Sequence, residues 1–170
     1  MRALGPCEDE HLSGKKSFEI VARWCSLAAM SENSHVLYAR EPELGIAEFR
    51  RVLVESGLGD TRPVEDDARL QAMLSGANLV LTARLNVEGR PLIGVARAIT
   101  DFSWVCYISE LAVSQSAQGL GIGRGLMDEA RRQLGTSVAI SLISMPDAVG
   151  FYERIGMMRM PDAFWFSRKR

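Results

Sequence analysis

The chain has 170 residues, 47% of them apolar and 24% charged, with a mean hydropathy of +0.01. That balance suits one folded domain and excludes a disordered chain. Lys and Arg number 20 against 21 Asp and Glu, a net charge of -1, so nucleic acid is not an expected partner; the one basic run, residues 168–170, reads as a solvated terminus.

No apolar run reaches the roughly 18 residues that span a bilayer, so a membrane partner is not expected either. The three cysteines are widely spaced and the histidines number two, which gives neither a disulfide framework nor a metal site and fits a reducing cytoplasm. Residues 1–33 differ from the rest, mixing Gly5, Pro6, the charged run Glu8-Asp9-Glu10 and a weakly amphipathic stretch that Glu19 and Arg23 interrupt. Those charges argue against a secretory signal. The segment is expected to be an N-terminal extension, poorly structured or helical, or an over-long start ahead of Met30. No chemistry is placed there, and the domain proper is expected over residues 34–170.

Residues 35–40 read as a short strand. Ile46, Phe49, Val52 and Leu53 share one face of a helix that Gly57 ends as an αL cap. A second helix is expected over residues 64–74, with Glu65, Asp66 and Asp67 in its first turn, where the helix dipole favours anions. Residues 79–85 and 91–100 form two β-rich runs joined by a loop containing Gly89, and residues 103–113 a third, strongly apolar strand. The clearest helix covers residues 122–134. Ile122, Leu126, Ala130 and Leu134 recur there every four residues, while Arg124, Asp128 and Arg132 make i,i+4 charge pairs. The continuous apolar run at 138–145 predicts a strand buried on both faces. A short helix over 146–155, opened by Pro146 and closed by Gly156, precedes one or two closing strands through Phe164-Trp165-Phe166. The order β-α-α-β-β-β-α-β-α-β indicates one mixed α/β domain.

Glycines alternate at 119, 121, 123 and 125 between the third apolar strand and the amphipathic helix. Glycine permits unusual φ values and removes side chains, so successive backbone N–H groups can converge on an anion, helped by the helix N-terminus and by Arg124. The placement favours a phosphate cradle over a plain solvated turn. No Gly-Lys-Ser/Thr follows, which excludes the Walker pattern. The spacing G-x-G-x-G-x-G and the five residues between Val113 and Gly119 exclude the dinucleotide fingerprint.

The stretch from Glu110 to Met127 resembles the central motif of the GCN5-related N-acetyltransferase (GNAT) superfamily, whose Gln/Arg-x-x-Gly-x-Gly/Ala signature is met by Gln118, Gly121 and Gly123. Ala148-Val149-Gly150-Phe151-Tyr152-Glu153-Arg154-Ile155-Gly156-Met157 is similar to that family's second motif, a helix carrying a tyrosine ahead of a Gly-apolar segment. The two motifs occur in the family's order with a strand between them, and the resemblance covers roughly residues 35–170. One departure stands out: Ser144-Met145-Pro146-Asp147 lies where many members carry an Asn for the cofactor's pantetheine arm.

The resemblance implies an α/β (α+β) fold with a mixed, mostly antiparallel sheet flanked by helices, and acetyl-CoA as the cofactor. It implies an acetyl group moved from acetyl-CoA to a primary amine by direct attack in a ternary complex. It places the cofactor against the backbone of Leu111, Ala112 and Val113, and against Gln118, Gly119, Leu120, Gly121, Ile122, Gly123 and Arg124. Tyr152 is the candidate acid for the departing thiolate, since a phenol is nearly matched to an alkyl thiol; packing of its helix is the competing role, and is assigned to Phe151. Glu110, a lone carboxylate in an apolar strand, is the candidate base. Strict alternation turns it away from Ser109 and Leu111 unless a bulge intervenes, and a charge at the sheet surface is an equal reading. His35 and Asp101 are weaker candidates.

The acceptor groove is expected from residues 45–76 and the closing strands. Its Glu48, Glu55, Glu65, Asp66 and Asp67 would suit a cationic amine, or form an ordinary solvated face. A small-molecule or peptide amine is the expected partner, and Trp104 and Trp165 are candidates for a homodimer contact besides core packing. The alternative of another class is a non-catalytic acyl-CoA-binding module of the same fold.

Overall fold

The computed structural model describes residues 35–168, so the expected N-terminal extension lies outside the described residues. Five strands, β1 (Val36–Arg40), β2 (Leu79–Leu85), β3 (Leu92–Thr100), β4 (Val105–Val113) and β5 (Ala139–Leu142), lie side by side in chain order. The first three pairings are antiparallel and the β4–β5 pairing is parallel. A parallel neighbour demands a crossover, and the helix α3 (Ile122–Leu134) supplies it. The helices α1 (Ile46–Glu55) and α2 (Asp67–Ser75) connect β1 to β2, and α4 (Val149–Arg154) follows β5.

Each face of the sheet has its own core. Phe49, Val52 and Leu53 of α1 and Leu70 and Leu74 of α2 pack with Val80, Leu92, Val95 and Ala112 on one face. Ile122, Leu126, Met127 and Ala130 of α3 pack with Leu79, Leu81, Ala96 and Ile108 on the other. The i, i+3, i+4 spacing at 49, 52 and 53 puts three fully buried side chains on one stripe. Each such side chain stabilises the fold by about 1.5–3 kcal/mol.

One irregularity positions the site. Along β3 and β4, Arg97 pairs with Glu110 but Ala98 pairs with Ile108, so Ser109 is an extra residue on β4. A bulge of this kind reverses the alternation. Cys106 and Ile108 before it face α3, whereas Ala112 after it faces α1 and α2, and Leu111 and Val113 turn to the α3 side.

Three expectations need correction. The helix α2 begins at Asp67 and not at residue 64, because the Asp66 side chain accepts the Arg69 N–H at 2.9 Å and serves as the N-cap. The strand β5 is not buried on both faces: it has four residues that alternate exposed and half-buried, since Ile140 and Leu142 pack on the α3-side core and the α1–α2 core does not reach this strand. The closing strands are absent from residues 157–168, where a turn at Pro161-Asp162 interrupts the segment and Phe164 and Phe166 are exposed. Proline has no N–H for a ladder, so a strand there breaks at its centre. Among the described residues no helix is long and apolar enough to cross a membrane.

Candidate active site

Pairing between β4 and β5 starts at Val105 with Ala139 and stops at Ile108 with Leu142. Beyond it the two chains diverge, and residues 109–113 have no strand neighbour on the β5 side. The gap is a cleft of about 900 Å³. One wall is β4, through Ile108, Ser109, Leu111 and Val113; the opposite wall is Ile143, Met145 and the helix α4. An extended ligand laid against this open edge would find backbone N–H and C=O groups, as an added strand does.

The four alternate glycines do separate jobs at the end of this cleft. Gly119 and Gly121 hold φ of +78° and +79°, with open space where a side chain would stand. Any other residue there would be strained by about 1–2 kcal/mol. Gly121 is the N-cap of α3, and its carbonyl accepts the first helical bond, from Gly125 at 2.9 Å. The N–H groups of Ile122, Gly123 and Arg124 belong to the first turn, where no intrahelical acceptor exists, and all three residues line the cleft. Gly123 is a close approach: a Cβ would come to 3.2 Å from the Phe151 ring. At Gly125 a Cβ would overlap the Tyr38 phenol, so that glycine packs the helix on β1 and has no part in the cradle.

Arg124 is largely exposed and holds Asp128 only loosely, at 3.8 Å, so its charge is available at the cradle. Gln118 also lines the cleft, its Nε2 donating to the Val113 carbonyl at 3.0 Å. Leu120 is exposed and Ala112 is buried on the far face, so the side chains of these two expected residues do not meet the cleft.

Tyr152 stands on α4 across from β4 and lines the cleft. Burial pushes its phenol above the usual value, which keeps the proton on the oxygen at neutral pH. Phe151 meets it edge-on at 5.0 Å and packs on Gly123. Ser144 turns its hydroxyl to the Met145 carbonyl, at 2.7 Å, whereas Asp147 lines the cleft.

Glu110 is placed differently from the expectation of a base at the cleft. The bulge at Ser109 turns its side chain toward α1 and α2, with 2% exposed. Arg62 Nε donates to one carboxylate oxygen at 2.7 Å and Arg97 Nε to the other at 2.5 Å. Arg97 is held in turn by the Met73 carbonyl and the Ser109 hydroxyl, each at 2.8 Å. Both carboxylate oxygens of Glu110 are thus engaged by guanidinium groups, and Glu110 does not line the cleft. Asp101, the weaker candidate, accepts the N–H groups of Ser103, Trp104 and Val105 in the β3–β4 turn and does not reach the cleft.

Four of the five acidic residues expected to greet a cationic amine are committed elsewhere. Glu48 binds Arg84, Glu55 binds Arg51 and the Ser114 hydroxyl, Asp66 caps α2 and Asp67 pairs with Arg50. Glu65 is exposed at the surface. The connection between α1 and α2 contributes Ser56, Gly57, Leu58 and Arg62 to the cleft. Reading the sequence missed these four residues individually. Arg62 is the only basic residue between Arg51 and Arg69, a lone cation in an acidic stretch, and that was the available signal.

A family model described as an acetyltransferase (GNAT) domain matches residues 61–165. The chain is 28% identical over 103 residues to the uncharacterized N-acetyltransferase ycf52 of Porphyra purpurea, covering 57% of this chain and 59% of that protein. It is 33% identical over 105 residues to the chloroplastic serotonin N-acetyltransferase 2 of Oryza sativa subsp. japonica, covering 59% of this chain and 52% of that one. The chain thus spans about half to three-fifths of the length of these relatives. In fold it is similar to a probable acetyltransferase from meticillin-resistant Staphylococcus aureus, with a TM-score of 0.65, 23% identity, and coverage of 79% of this chain and 99% of that one.

Proposed function

The chain belongs to the GNAT acetyltransferase family, and we propose that it moves an acetyl group from acetyl-CoA to a primary amine. The observation that carries this reading is the unpaired β4 edge at residues 109–113 running into the glycine cradle of α3, with Tyr152 on the facing wall. The cradle fits a pyrophosphate, since Gly119 and Gly121 adopt left-handed φ in open space and the exposed Arg124, held only loosely by Asp128, lies beside them. When bound, acetyl-CoA supplies an activated thioester acyl group.

The residues of this chain do the rest. The open backbone of Leu111 to Val113 orients the donor, and a backbone N–H near Leu111 polarises the acyl carbonyl. Tyr152 holds a proton for the departing thiolate, and its raised pKa keeps that proton in place at the working pH. Donor and amine share one cleft; the neutral amine attacks directly in a ternary complex, the C–S bond breaks, and the proton the nitrogen sheds replaces the one that Tyr152 gives to the thiolate. Glu110 acts at one remove, by positioning Arg62. The acceptor is a small-molecule or peptide amine. Exposed Trp104 and Trp165 support a contact between two copies of the chain.

The alternative, a non-catalytic acyl-CoA-binding module, draws support from the engagement of Glu110 by two arginines. Two measurements decide. Acetyl-CoA raises the melting temperature while NAD and ATP leave it unchanged; no shift at millimolar acetyl-CoA would end the donor reading. Tyr152→Phe lowers turnover by about 10²-fold while keeping the acetyl-CoA shift. Equal turnover in the variant returns Tyr152 to a packing role, and no turnover in either protein favours the binding module.

A further inference from the structure

The connection between α1 and α2 sends one cation to the cleft. Arg62 does not extend into solvent; its side chain is 17% exposed and lies across β4. Its Nε donates to Glu110 at 2.7 Å, its Nη2 to the Ser109 carbonyl at 3.1 Å, and its Nη1 to the Thr61 hydroxyl at 2.9 Å, with the Thr61 carbonyl farther away at 3.4 Å. Ser109 and Leu111 line the same cleft and are two residues apart, about 7 Å along the strand. Arg62 therefore stands close to the backbone assigned to the acyl group.

The charge beneath this end of the cleft is unequal. Two guanidinium groups, Arg62 and Arg97, share the single carboxylate of Glu110, which leaves one positive charge in excess in a nearly buried cluster. The carboxylates on α1 and α2 are bound to Arg84, Arg51 and Arg50 or cap a helix, so none of them offsets it. Among the described residues Asp147 is the one acidic residue lining the cleft, against Arg62, Arg124 and Arg154, so a polycation would meet a net positive lining, whereas an anionic group would offset it.

We propose that Arg62 selects the acceptor, and that the acceptor is an amine carrying a carboxylate close to its nitrogen, of the amino-acid kind. The proposal rests on the acetyl-transfer reading above. Guanidinium has five N–H groups, two on each terminal nitrogen. Nη1 turns its donors to the Thr61 hydroxyl and carbonyl, whereas Nη2 keeps an N–H beyond its bond to the Ser109 carbonyl, and that N–H can meet a carboxylate oxygen. Glu110 and Ser109 hold the guanidinium from behind and fix its plane. The carboxylate on Arg62 would hold the neighbouring amine at the β4 wall, facing Tyr152.

The test uses the full chain, acetyl-CoA and matched acceptors: free amino acids, the same amino acids as C-terminal amides, and spermidine. The expected result is a kcat/KM at least tenfold higher for each acid than for its amide, expressed mainly in KM. Arg62→Met erases that ratio while the acetyl-CoA thermal shift stays, and Arg62→Lys restores part of it. Amides or spermidine used as well as the acids, or a ratio that survives in Arg62→Met, overturns the proposal. Should Arg62→Met fail to fold, the acid–amide ratio of the natural chain decides alone. An acetyl-CoA shift with turnover only of amides or spermidine, or with no turnover, overturns the acceptor assignment and leaves the donor site standing. Absence of the shift removes the donor reading itself.

Discussion

Two clusters of arginine and glutamate brace this sheet with opposite stoichiometry. At the β1–β2 edge Arg84 stands between Glu41 and Glu48, donating to both at 2.8 Å, while Glu41 also accepts the Thr82 hydroxyl at 2.7 Å. Under the cleft the arrangement inverts, and Glu110 stands between Arg62 and Arg97. The first cluster has a surplus negative charge and the second a surplus positive one. Their surroundings decide what each surplus does. Glu41 and Glu48 are 29% and 42% exposed, so water and salt screen their excess. Glu110 is 2% exposed, and the excess beside it is felt across the cleft wall. The same residue types therefore make a brace in one place and a recognition element in the other.

The contrast can be broken most forcefully at Glu110. Glu110→Ala leaves two guanidinium groups without their shared partner, and should cost about 3–5 kcal/mol of stability in urea unfolding. A loss below about 1 kcal/mol would mean that water reaches Arg62 and Arg97, and the cluster would then resemble the exposed one.

The smaller effect lies at Arg84. Arg84→Met should cost about 1 kcal/mol, since its partners are partly solvated. It should also change the pH dependence of stability. Hydrogen bonds from Arg84 hold the Glu41 and Glu48 carboxyls below the usual carboxylate range. A lowered folded-state pKa contributes stability that is present above the unfolded value and is lost as the pH falls through the folded one. The natural chain should therefore lose stability more steeply than Arg84→Met below about pH 4.5, the ordinary value for these carboxyls. Parallel stability curves for the two proteins would show that the edge cluster is inert.

The glycine turn ahead of α3 was more legible in the sequence than the cluster around Arg62, for a physical reason. Left-handed φ at Gly119 and Gly121, the helix that follows and Gln118 ahead of it are local properties, and the chain displays them in one stretch. Tyr152 was legible because a short helix with a tyrosine and a terminal glycine is also local. By contrast, Arg62 and Glu110 are 48 positions apart, and only the packing of the α1–α2 connection on β4 joins them. The final strands were misjudged because apolar aromatic residues signal β structure locally, whereas the turn at Pro161-Asp162 and the open edge of β5 depend on what pairs with what.

By itself the sequence determined the order of elements through β5 and α4, the amphipathic faces that make two cores, and the glycine-rich turn between β4 and α3. Those follow from side-chain period and backbone conformation, which neighbouring residues decide. The tertiary structure alone decided that a bulge at Ser109 turns Glu110 away from the cleft, that Gly125 serves Tyr38 and not the cradle, and that the carboxylates of α1 and α2 are already taken. Register and ion pairing join residues distant in the chain, and one extra residue in a strand is enough to exchange its faces.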